Sequence, residues 1–142
     1  MKYIRLILLL FIYLNITTIY SQRKIKPNIT AVEFKETKII LNKKHAFNYY
    51  KKANDFTISD LNDNPLITGK ITPLGNSQFA SKIYFITVEK EFYNEKIIGR
   101  NDLIMTLCDN NVITKQLEID NEQLDLFIEN FNEIELFPTD ED

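Results

Sequence analysis

Two side chains in this sequence have the chemistry of a catalyst, and each occurs once. His45 is the only imidazole and Cys108 the only thiol. A Ser–His–Asp arrangement would have to use His45. No Gly-x-Ser-x-Gly elbow is present to raise a nucleophile. His45 opens an alternating stretch that carries Phe47 and Tyr49 on the same parity. A packing histidine at a strand end is therefore the favoured reading over a catalytic one. Cys108 would need an imidazole or a positive neighbour to ionise. Its neighbour is Asp109, which opposes ionisation, so it reads as a buried helix residue acting as a small hydrophobe.

The carboxylates are tested in the same way. Asp60, Asn62 and Asn64 stand at positions 1, 3 and 5 of an EF-hand loop, but Pro65 replaces the glycine at position 6. Ile71 replaces the bidentate glutamate at position 12. The segment reads as a turn. Glu89 and Glu91 share a strand parity at a distance that glycosidase chemistry uses. Any i, i+2 pair on a strand meets that distance, so the spacing carries no specificity. One Cys and one His cannot make a four-ligand zinc site. Gly69, Gly75 and Gly99 are too scattered for a phosphate-cradling loop. No catalytic, cofactor-binding or metal-ligating set emerges, and no cofactor is implied. The enzyme question stays open, leaning to no.

Binding chemistry is better represented. Lys43, Lys44, Lys51 and Lys52 flank the aromatic pair Tyr49 and Tyr50. These six residues form a candidate interaction surface, basic and aromatic, of the kind that also takes polyanions. Lysines guarding a sheet edge are the plainer explanation. Nucleic acid is disfavoured as a partner by the formal charge of −3. A protein partner is the expectation. Asn28-Ile29-Thr30 is an N-glycosylation sequon, of consequence only in a eukaryotic secretory pathway.

The elements that must position these residues follow a leader. Residues 1–21 carry Lys2 and Arg5, then nine apolar residues from Leu6 to Leu14, then a more polar end at Ser21. This is the form of a secretory signal peptide. The apolar run is short of the ~20 residues of a membrane span. No Cys follows it for lipid attachment. The expectation is an exported protein, periplasmic or extracellular, with no stable membrane span once the segment is removed. The mature chain would be 121 residues, one domain's worth. It would hold together without a disulfide. Residues 22–29 read as a short tether, 30–132 as one domain, and 133–142 as an acidic tail.

Within the domain, β-prone runs are separated by turn signals at hairpin spacing. Strands are expected at 37–41, 45–50, 55–60, 66–74, 82–91 and 96–98. Loops are expected at 42–44, 60–65, 75–77 and 94–95. Gly69 and Pro73 mark 66–74 as an edge strand. Residues 82–91 (KIYFITVEKE) read as the central strand, with Tyr84, Ile86 and Val88 on one face and Ile83 and Phe85 on the other. After Gly99 the period becomes helical. Residues 101–111 read as a short helix with Asn101 or Asp102 at its start and Asn110 or Asn111 at its left-handed end. In 120–132, Asp120 and Gln123 resemble a capping box. Leu124, Phe127, Ile128 and Phe131 make an amphipathic stripe. The fold expected is α+β: an antiparallel meander of about six strands, then two C-terminal helices packed on one face.

Charge divides along the same boundary. Residues 22–100 carry 14 bases and 8 acids, and residues 101–142 one base and 12 acids. Solvated helix faces explain this simply, and a dipolar surface that steers a partner explains it functionally.

The layout resembles small exported proteins of unknown function of the Bacteroidota type. The resembling pieces are the Ser21-Gln22 junction, residues 45–50 followed by FTISDLNDNPL (56–66), and NDLIMTLCDNNVI (101–113) with LDLFIENF (124–131). These are packing and turn motifs. The resemblance implies an envelope location and an α+β module and carries over no catalytic residue. Together these readings lead to an exported non-catalytic interaction module, such as an inhibitor, an immunity-type protein or an accessory subunit. The alternative is a small-ligand or polyanion-binding protein that uses a sheet–helix groove.

Overall fold

A computed structural model describes residues 26–133. The signal segment and all of the acidic tail beyond Glu133 lie outside the described residues, as does the first half of the tether. The chain builds seven strands: β1 (Val32–Phe34), β2 (Lys38–Leu41), β3 (Lys44–Lys52), β4 (Asp55–Ser59), β5 (Pro65–Gly75), β6 (Gln78–Phe85) and β7 (Lys90–Asn94). Two helices follow, α1 (Gly99–Asp109) and α2 (Asn121–Phe131). Each strand pairs antiparallel with the next, so the sheet is a simple meander in chain order. The fold is α+β, as expected, with seven strands rather than about six.

One face of the sheet is apolar. Ile39, Leu41, Phe47, Phe56, Ile58, Ile67, Ile83, Phe85 and Phe92 are all buried on it. The helices cover that face with Leu103, Ile104, Leu107 and Cys108 from α1 and Leu124, Phe127 and Ile128 from α2. Phe127 stacks on Phe92 at 5.3 Å between ring centroids and meets Phe85 edge-on at 6.4 Å. Asp120 caps α2 by accepting from the Glu122 and Gln123 amides. Between the helices, Val112 and Ile113 are buried, and Ile113 bridges to Ile119.

Several expectations are corrected. Residues 82–91 are not one central strand. The chain turns at 86–89, with Glu89 at a φ of 53°, and returns as β7. Pairing Ile83 with Phe92 and Phe85 with Lys90 buries the Phe92 ring against Phe85, and no Gly, Pro or Asn marks that turn. The parity also resolves: Ile83 and Phe85 are inside, and Tyr84 faces solvent. Residues 66–74 are not an edge, because β5 lies between β4 and β6. Pro73 is tolerated because β4 pairs only as far as Lys70, so no β4 carbonyl needs its N–H. Residues 96–98 form no strand and lead instead into α1. The short β1 was not anticipated. A register shift opposite Ile39 and Ile40 puts Ala46 and Phe47 both inside, which breaks the simple His45–Phe47–Tyr49 alternation. Helix α1 starts two residues early. Asp102 is not its N-cap but reaches back to accept from the Ile98 amide. Asn111 does take the left-handed conformation after α1, at a φ of 55°.

Two polar side chains seat the helices. Buried Asn94, at the end of β7, accepts from the Lys96 and Ile97 amides at 2.8 Å each and donates to the Phe131 carbonyl at 2.7 Å. Ser81 accepts from the Gly99 amide at 2.9 Å. Of the tether, Ile29 is buried and the Asn28 amide donates to the Asn111 side chain.

Gly69 is fixed by contact. A Cβ there would lie 2.2 Å from the Phe56 ring, which covers the glycine from the opposite strand. Gly69→Ala is expected to lower stability by about 1–3 kcal/mol through overpacking, measured by urea unfolding, with part regained in Gly69→Ala/Phe56→Leu. Asn94→Ala strands the buried Ile97 N–H and the Phe131 carbonyl. It should cost about 2–4 kcal/mol in the same assay. An unchanged midpoint would refute the seating role.

Candidate functional site

Where α1 begins, its first turn leans over the end of the β2–β3 hairpin, and a cleft of about 690 Å³ opens there. Its walls include Glu36, Thr37, Tyr49, Lys51, Gly99 and Arg100. Arg100 is the single arginine among the described residues. Its guanidinium carbon lies 4.1 Å from the Tyr49 ring centroid and 5.0 Å from that of Phe34. Nη1 donates to the Lys35 carbonyl at 2.9 Å and Nε to the Asn101 side chain at 3.0 Å. Stacking on two aromatic faces and a carbonyl anchor hold the group in place. Of the five N–H donors of a guanidinium, three remain after these two bonds. Burial pushes the Tyr49 phenol above its ordinary value, and the neighbouring Arg100 charge offsets part of that rise.

Register explains who reaches the cleft. Cross-strand partners share a face, and Lys51 pairs with Phe56, so Lys51 points to the helix side together with Tyr49. Tyr50 and Lys52 point to the uncovered side, where Tyr50 is 66% exposed. Lys43 and Lys44 sit at the other end of β3, in and beside the turn to β2, where Lys43 has a φ of 67°. A nine-residue strand is ~30 Å long, so these two lysines do not join Lys51 and Lys52. Of the six candidate residues, Tyr49 and Lys51 line the cleft, and Tyr50 borders it with its ring turned to the uncovered side. Arg100, Phe34 and Glu36 escaped sequence reasoning. The available signal was an isolated arginine directly after a glycine at a helix start.

The residues tested for catalysis are occupied elsewhere. His45 Nε2 lies 3.2 Å from the Phe47 carbonyl, to which its N–H tautomer donates. Neither His45 nor Cys108 lines the cleft. Asp60 spends one carboxylate oxygen on the Asn62 and Asn64 amides and the other on the Asn64 side chain. Those bonds hold its carboxyl below the usual carboxylate range, and the segment is an Asx-type turn. Among the described residues no group of three or more His, Cys, Asp or Glu side chains is placed to hold a metal. Among them, too, no helix is long and apolar enough to cross a membrane.

The class defined by fold and site is a two-layer α+β domain with a cationic, aromatic-walled cleft. No protein family, curated protein or solved structure matches the chain.

Cys108 is buried among the helix and sheet residues, and burial followed by the Asp109 charge pushes its thiol up to about 12. Folded protein should therefore resist a thiol-specific reagent at pH 8 and react fully in urea. The protonated thiol is the folded form. Its contribution to stability is complete below the ordinary thiol range and is lost as pH rises towards 12. Rapid labelling of native protein at pH 8 would contradict the burial.

Proposed function

We propose that the chain is an exported, non-catalytic interaction module of the cell envelope, an inhibitor, immunity-type or accessory protein. In this reading it grips an acidic group of its partner at the Arg100 cleft. The observation that carries the reading is the fixed guanidinium. Arg100 is held by two rings and a carbonyl, yet it retains three donors in a fork that suits a carboxylate. Lys51 adds a second positive charge on the same side. Preorganisation of this kind lowers the entropy cost of binding, which matters when the contact is small. The exported location is supported by the form of residues 1–21 and by the resemblance to Bacteroidota-type exported proteins.

A second reading has one observation in its favour. A cleft of about 690 Å³ is within the size range of small-molecule sites. In that case a small anion, rather than a protein, occupies the sheet–helix groove.

Affinity capture from envelope extract with residues 22–142 tests the first reading. A specific partner should be recovered, and its retention should fall as salt is raised. Arg100→Ala should abolish recovery. Arg100→Lys, which keeps the charge but loses the fork, should restore little of it. Recovery at background, or an unaltered Arg100→Ala complex, would sink the reading. A thermal-shift screen separates the second reading, since a small anion at 100 times its Kd stabilises by about 2.7 kcal/mol.

A further inference from the structure

The helices cover one face of the sheet, and the other face carries its own pattern. Two rows of cross-strand neighbours run across β3 to β7 on the uncovered side. One is Tyr50, Thr57, Thr68, Tyr84 and Glu91. The next is Lys52, Asp55, Lys70, Lys82 and Tyr93. Lys70 and Lys82 are directly opposite each other, a like-charge placement that destabilises a ladder unless something neutralises it. Asp55, directly opposite Lys70, and Glu91, 3.8 Å from the Lys82 Nζ with both side chains more than half exposed, offset these charges in part, and with Lys52 the two rows keep a small excess of base. Between these lysines and Tyr84 lies a depression of about 380 Å³ floored by Thr57 and Thr68. Tyr50 and Tyr84 are 66% and 39% exposed.

The opposite side of the molecule carries the complement. The helical layer presents Asp109, Glu122 and Glu129 to solvent, along with Met105 and Leu126, each 50% exposed. From residue 101 to 133 the only base is Lys115, against eight acids. Aromatic groups with a small excess of base on one side thus face away from acidic and aliphatic groups on the other.

We propose that the uncovered sheet face docks the helical layer of a second copy of this chain, with Lys70 and Lys82 receiving the acids of α2. The contact is head-to-tail. The two surfaces differ, so pairing one of each leaves one of each free, and association continues beyond two copies unless a ring closes. The rows span ~19 Å across the strands and stand ~7 Å apart along them, so the strip they define is ~130 Å² per copy. A standard interface takes ~800 Å² per partner, so the association is weak, concentration-dependent and salt-sensitive. This goes beyond the partner cleft and does not use Arg100 or Lys51.

Sedimentation velocity on residues 22–142, which contain the whole described fold, tests it across ~10 µM to 1 mM. The weight-average sedimentation coefficient should climb with concentration at low salt. The apparent association constant should fall about tenfold between 50 and 300 mM salt. Lys70→Glu/Lys82→Glu should stay monomeric, and so should Glu122→Lys/Glu129→Lys on the helices. All four positions are exposed, and circular dichroism should match wild type. Mixed, the two reversed proteins should associate again, because each then offers the other a matching surface. Lys70→Gln/Lys82→Gln is the milder control and should lose most of the association. A wild-type monomer at every concentration in low salt would overturn the proposal. So would association indifferent to the reversals, or a mixture that stays monomeric. Binding of poly-glutamate to the wild-type sheet face without self-association would also overturn it and would assign that face to a foreign acidic chain.

Discussion

The structure hangs on Asn94. Its side chain is buried at the end of the last strand, where the chain must leave the sheet, bend and begin the helical layer. One oxygen satisfies two consecutive amides of that bend, and the amide nitrogen takes the last-turn carbonyl of α2. A buried polar group without partners costs about as much as several methylenes gain, so this set has to be complete or absent. Being complete, it fixes three things at once: the exit from β7, the entry to α1, and the end of α2. The Gly99 amide bonded to Ser81 does the same for the first turn of α1. The apolar face of the sheet supplies the drive to be covered. Hydrogen bonds that accept one geometry decide where the cover sits.

What could be read from the chain was local, and what could not depended on distant pairing. The α2 stripe and its Asp120 cap are written within twelve consecutive residues. The loop at 60–65 holds itself together through Asp60 and needs no distant partner. Residues 82–91 read as one strand because β propensity is the same for one long strand and for two halves of a hairpin. The choice was made by Phe92, which gains contact with both Phe85 and Phe127 only when the chain doubles back. Pro73 and Gly69 misled in a related way. Each is a poor interior residue by itself. One falls where the neighbouring strand has ended, and the other is roofed by a ring from β4.

The cleft follows the same rule. Tyr49, Tyr50 and Lys51 attracted attention through their types and adjacency, yet alternation sends Tyr50 to the other side of the sheet from its two neighbours. The charge that organises the cleft comes from Arg100, bonded to the Lys35 carbonyl 65 residues away in the chain. Nothing near Arg100 in sequence announces Phe34 and Tyr49 as its walls. Composition could flag a rare arginine but could not say which rings would flank it.

The covering of a single face also explains where function can reside. Two eleven-residue helices are each ~16 Å long. They are laid on a sheet of seven strands that is wider than they can roof. The apolar demand is met in the middle, and the rim is left over. At one rim the first turn of α1 overhangs β3, and there the stacked guanidinium stands over an open cleft. On the far side the described residues form no second layer, so Tyr50, Lys52, Lys70, Lys82 and Glu91 keep their rings and charges in water. The thiol falls within the covered region, enclosed by core side chains, and the partly buried imidazole, opposite Ile40, lies against the Phe47 carbonyl. Reactive groups are thus spent on holding the fold, while cationic and aromatic groups collect where the cover stops. What the rim and the uncovered face expose is therefore a guanidinium held between two rings and rows of lysine and tyrosine, set by where the helices end rather than by local sequence.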